Sequence, residues 1–227
     1  MGQDGYSTPD IAAHVAMDEL TAKLIALLSS GGDARTSLDP ISGLNKYFSA
    51  PYPRKTMAYA SSTANDLSPD AFGYLRGVLA GGLPEYAAHL ESLRARIKSA
   101  YQIGDDVEIV FAPSGTDLEY VALAAVLGKA SGGIHNILLG ADEVGSGCIH
   151  SAHAKFFADE TALGIATEKG ALIEGFGEVS LADVPVRCPE GVSRCSATIT
   201  EAIGHEITLA LQAGQHALVL SLIHISE

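Results

Sequence analysis

Apolar positions in the second half of this chain fall into two rhythms, short unbroken runs and stretches that step by three and four residues. Val107–Ala112 is a run with no charge after Glu108, and Pro113 closes it. Beyond it Leu118, Val121, Ala122, Ala125 and Val126 recur at helical spacing. The pattern predicts a buried strand, a turn at Ser114-Gly115-Thr116, and an amphipathic helix. Asn136–Gly140 is a second predicted strand, and Gly145–Phe157 turns back through another helix. Leu172–Phe176 and Val184–Arg187 are further strand-like runs. Thr198–Gln212 is helical, with Ile203, Ile207 and Leu211 four apart, and His216–Leu220 is a last apolar strand. Strands alternating with helices imply an α/β fold with a mainly parallel sheet covered by helices on both faces.

The first half reads differently. Thr8-Pro9 opens a helix whose apolar side carries Ile11, Val15, Leu20, Leu24, Ile25 and Leu28, and Gly31-Gly32 stops it. From Asp33 to Leu67 the period is lost, and an irregular arm this long in a compact protein is usually functional or mobile. Ser68-Pro69-Asp70 has the chemistry of an N-cap, first helical position and acidic first turn, and a short helix runs from it towards Gly81-Gly82. Pro84 starts a stronger helix in which Tyr86, Leu90, Leu93, Ile97 and Tyr101 form the apolar stripe. Arg94, Arg96 and Lys98 form its solvated face, and Gly104 ends it.

The formal net charge of −13 argues against a nucleic-acid partner, because phosphate backbones are bound by clustered Lys and Arg. It leaves room for one small phosphorylated ligand held by backbone amides. Three cysteines, Cys148, Cys188 and Cys195, with no Cys-x-x-Cys pair, point to a reducing compartment. No run approaches the length of a membrane span, and the cytoplasm is the expected location.

The turn at 114–116 carries the candidate chemistry. A helix N-terminus offers unpaired amides and the positive end of the helix dipole, Gly115 permits close approach, and two hydroxyls add donors, so a phosphate would be held without lysine. Ordinary capping explains the triplet equally well, since Ser, Thr and Asp are favoured there anyway. A strand, then Ser-Gly-Thr-Asp, then a helix resembles the phosphate-binding segment of the aspartate-aminotransferase-like (fold type I) pyridoxal-phosphate enzymes. The order of elements along most of the chain is similar as well. The resemblance implies an N-terminal helix and arm over 1–67 and a partial cofactor-binding large domain over 68–220. It also implies an amino acid or amine as substrate, transferase or lyase chemistry, and a homodimer at full length.

That resemblance assigns Ser114, Gly115 and Thr116 to the phosphate and gives the ring-face place to Glu143, in the turn after the second strand. Similar enzymes have an aromatic or His there, and a carboxylate cannot stack like an imidazole. Asn45 and Tyr47, with Ser61, Ser62 and Thr63, are the arm residues that would close over substrate, although turn chemistry accounts for them too. The resemblance places the acid for the pyridine nitrogen and the Schiff-base lysine after the helix at 198–212, yet no lysine follows Lys169. Ser221–Glu227 reads as a non-native tail, and the chain is expected to be an inactive fragment of a longer enzyme. A natural edge strand of about ten residues is the alternative for its end.

Other chemistries have weaker support. Gly145-Ser146-Gly147 is half a dinucleotide fingerprint, with His150 where the third glycine belongs. Cys148, His150 and His153 have helical spacing for a metal but no fourth ligand, and no Gly-x-Ser-x-Gly elbow marks a hydrolase. The competing functional class is a non-catalytic phosphate- or nucleotide-binding α/β protein.

Overall fold

A computed structural model describes residues 17–30, 35–57 and 65–222. The chain divides into two compact units. One runs to Phe111 and takes in Ala162–Gly164, and the other comprises Ala112–Thr161 and the residues from Ile165 on.

In the first unit, α1 (Glu19–Leu28) starts at Asp18, whose carboxylate accepts from the Thr21 N–H at 2.8 Å. The start expected at Thr8-Pro9 lies outside the described residues. Helix α2 (Pro69–Ala80) begins as its sequence predicts, with Ser68 as cap and Pro69 in the first turn. Leu24 and Ile25 of α1, Phe72 and Leu79 of α2, and Leu44, Ala50 and Tyr52 of the arm form one core, so the packing shows no break at 67–68. The arm is therefore built rather than loose between residues 39 and 54. Tyr52, fully buried, donates its hydroxyl to Gly43 O at 3.0 Å, and Arg54 Nε donates to Asp66 at 2.9 Å.

Helix α3 (Tyr86–Tyr101) has Glu85 as its cap and Gln102 in a left-handed conformation at its end. Leu90, Leu93 and Ile97 are half-buried, while Tyr86 and Tyr101 at the ends of the predicted stripe are exposed. Arg94 does not simply face solvent, because its Nε donates to Ile109 O at 2.9 Å and its guanidinium lies 5.3 Å from the Phe111 ring centre. That clasp marks a correction. Val107–Ala112 is not a buried strand: it pairs with no ladder, and Val107 and Val110 are exposed.

The second unit holds a three-stranded, all-parallel sheet in the order β2-β1-β3, with β1 at Ile134–Leu139, β2 at Val179–Val184 and β3 at His216–Leu220. Central β1 sends alternate residues to opposite faces. Ile134 and Leu138 pack towards α4 (Gly115–Ala125) and the single turn α5 (Cys148–Ser151). Ile137 and Leu139 pack towards α6 (Ser196–Gln212). Both faces of β1 are covered, and its second half, Ile137–Leu139, is apolar throughout. Each fully buried side chain such as Ile137 or Leu138 contributes about 1.5–3 kcal/mol.

Several predicted boundaries move. The strand expected at Val184–Arg187 instead ends at Val184, because Pro185 has no N–H to continue the ladder. Leu172–Phe176 forms only an isolated bridge, Lys155 to Leu172, and Leu172 is exposed. The helix expected over Gly145–Phe157 is a single turn. Among the described residues no helix is long and apolar enough to cross a membrane.

Candidate functional site

Helix α4 places its N-terminus at the carboxyl ends of the strands. Its Leu123 packs with Ile134 and Val179, which begin β1 and β2. At its other end, Thr116 lies against Gly147, in the segment that follows β1: a Cβ on Gly147 would come within 3.1 Å of the Thr116 methyl. The helix thus runs antiparallel to the sheet. Ligands of open α/β sheets gather at this edge.

Ser114 is extended, and its Oγ accepts from the Asp117 N–H at 3.3 Å and donates to Asp117 Oδ2 at 2.6 Å. Leu118 N–H is taken by Ser114 O. Gly115 and Thr116 N–H remain as helix-end donors without an intrahelical acceptor. Gly115 is exposed, and nothing lies within 4 Å of where a side chain on it would stand. Thr116 is buried with its methyl towards Gly147, so the group it offers the helix end is its N–H.

Behind this first turn sits a polar cluster that sequence periodicity missed. Helix α4 buries Thr116, Glu119 and Leu123, while Leu118 and Val121, on the expected apolar face, are exposed. Ser151, fully buried, donates to Glu119 Oε2 at 2.6 Å. Burial pushes the Glu119 carboxyl above its ordinary range, the Ser151 hydroxyl opposes this only in part, and Oε1 has no hydrogen-bond partner among the described residues. The Cys148 thiol is pushed up to about 12 by burial and by Glu119, which makes it a packing residue rather than a nucleophile. A glutamate three residues from Thr116 and four from Leu123 was the available signal, but its partners lie some thirty residues away.

The acidic turn after β1 begins at Gly140 with φ of +62°, and Ala141 N–H donates to Asp183 Oδ1 at 3.0 Å. Glu143 is ion-paired with Arg187, three residues beyond β2. Arg187 also donates to Ser193 Oγ at 3.1 Å. A cavity of about 330 Å³ opens between Leu139 at the end of β1 and Ser196 and Thr200 at the start of α6, with Arg187 and Arg194 in its wall. No local motif announced either arginine.

The remaining candidates have structural work. Asn45, in the first unit, accepts from Tyr47 N–H at 2.9 Å and Ser49 N–H at 3.1 Å through Oδ1, which builds a turn around Phe48 at φ of +59°. The Lys46 ammonium lies 5.1 Å from the Tyr47 ring centre. Ser61, Ser62 and Thr63 lie outside the described residues. His150 and His153 are shifted down by burial and then by neighbouring lysines, and both are neutral near pH 7. Among the described residues no three His, Cys, Asp or Glu side chains gather as a metal-ligand group.

No family model, no curated protein and no solved structure matches this chain.

Proposed function

We propose that this chain carries the phosphate-binding part of a pyridoxal-phosphate-dependent enzyme of the aminotransferase-like class, a cytoplasmic homodimer acting on an amino acid or amine. The observation that carries this reading is the open Ser114-Gly115-Thr116 helix start at the carboxyl ends of three parallel strands. The phosphate fits there: Gly115 and Thr116 would hold it through their N–H groups, and Ser114 would add its hydroxyl by turning away from Asp117. When bound, the cofactor supplies an electron sink for a carbanion on the substrate. The ring does not fit Glu143, which is tied to Arg187 and cannot stack, so no catalytic step is derived for that residue.

The Glu143 to Arg187 pair favours a second reading, a phosphate- or nucleotide-recognition protein without catalysis. Titration with pyridoxal phosphate and with inorganic phosphate tests the shared core of both. Gly115→Pro, which deletes one of the two amides at a helix position that accepts proline, is expected to cost about 1–3 kcal/mol of binding, roughly 5- to 150-fold in affinity, and Ser114→Ala, which removes only a hydroxyl, is expected to cost less. Unchanged affinity of Gly115→Pro for both ligands refutes the cradle. Loss of phosphate binding, with no preference for pyridoxal phosphate over phosphate in the parent chain, selects the second reading.

A further inference from the structure

Four aromatic side chains of the sheet-bearing unit, Tyr120, Phe156, Phe157 and Phe176, wall a solvent-open cavity of about 280 Å³, and Asp117 and Glu160 stand in the same lining. The walls are fixed from behind. Tyr120 donates its hydroxyl to Lys155 O at 2.7 Å, and its ring lies 6.1 Å from that of Phe157 and 6.2 Å from that of Phe176. Phe176 in turn packs against the cluster of Leu123, Ile134, Ala154 and Val179. The lining contains two carboxylates and neither Lys nor Arg among the described residues.

We propose that this cavity binds a small organic ammonium ion. Aromatic faces attract cations through their quadrupoles, and the attraction strengthens where water is partly excluded. Carboxylates in the same wall add a complementary charge. A neutral apolar ligand would leave Asp117 and Glu160 without a counter-charge, and an anion would meet both of them and a chain of net charge −13. The Tyr120 phenol is held protonated, chiefly by burial and then by the negative charge of Asp117, so the ring stays neutral and sits in a negative field. The site stands whether or not the helix start takes a phosphate.

The test is an NMR titration of the full chain with choline and with the alcohol that carries a tert-butyl group in place of trimethylammonium, two probes of the same shape and different charge. Choline is expected to bind more tightly by about 2- to 30-fold. Tyr120→Leu should reduce that preference, and Tyr120→Phe, which keeps the ring, should retain it. Glu160→Gln, at an exposed position that folding does not need, should weaken choline and leave the alcohol unchanged. Equal affinity of the two probes in the parent chain overturns the proposal, as does the absence of saturable choline binding. Glu160→Gln weakening neither probe, or both alike, overturns it even where Tyr120→Leu fails to fold. The measurement uses no phosphate, so failure here leaves the cofactor reading standing, and the converse holds.

Discussion

Glu119 sits in an environment that disfavours its charged form. It is almost fully buried, bonded to Ser151, and held above the ordinary glutamate value of 4.5 by desolvation. A raised folded-state value means that the native chain keeps a proton the unfolded chain releases. Its contribution to stability is complete below about pH 4.5 and is lost as pH rises through the raised native value. Asp18, Asp39, Glu85 and Glu190 are shifted the other way, mainly by hydrogen bonds to their carboxylates, so their contributions are present above the ordinary values and lost as pH falls. Comparison with Glu119→Gln separates the two classes, since glutamine mimics the protonated acid and leaves the other four alone. The expected outcome is that parent stability declines relative to the Gln variant as pH is raised from 4.5, read as urea midpoints. Superimposable profiles would mean that Glu119 ionises normally.

At the scale of elements, the entry into the sheet depends on Gly132 and Gly133. Gly133 has φ of +87°, and a Cβ there would stand 2.2 Å from Glu178 O, while one on Gly132 would stand 2.7 Å from Gly214 O. These backbones touch because Ile134 N–H bonds Glu178 O and His216 N–H bonds Gly133 O, which sets the register of β1 with both neighbours. Gly133→Ala is expected to cost more than about 2 kcal/mol, whereas Gly204→Ala, in α6 with nothing within 4 Å, should add about 0.5–1 kcal/mol. Denaturant unfolding checks both, and a neutral Gly133→Ala would show that the register is set elsewhere. The elements with strong local signals were legible: the Ser68-Pro69 start of α2, the span of α6 with Ile203 and Ile207 on the core though Leu211 at its end is exposed, the apolar run of β3, and the parallel sheet they imply. What failed was set by distant partners. Val107–Ala112 has strand composition, but Arg94 holds it in place of a neighbouring strand. The buried face of α4 was misassigned because the Ser151 hydroxyl, thirty-two residues on, gives Glu119 a partner inside. The Ser114 turn was visible as a helix start, while the burial of Thr116 and the pairing of Glu143 with Arg187 depend on chain segments with no shared motif.

For the whole molecule the decisive quantity is the net charge of −13, set against a site proposed to hold an anion. A phosphate approaching α4 meets a general repulsive field, relieved only within the first helical turn, where the Gly115 and Thr116 amides point outward. Salt acts differently on these two contributions. Distant carboxylates are screened once ionic strength brings the Debye length to roughly 10 Å, whereas hydrogen bonds at contact distance are screened much less. A site made of backbone amides therefore differs measurably from one made of arginines, such as the cavity walled by Arg187 and Arg194. At the amide site, raising NaCl from about 20 to about 200 mM is expected to tighten inorganic phosphate binding or to weaken it less than about twofold. At the arginine-walled cavity, the same change should weaken it steeply. A steep loss of affinity with salt, abolished by Arg194→Ala and untouched by Gly115→Pro, would move the anion site from α4 to the start of α6.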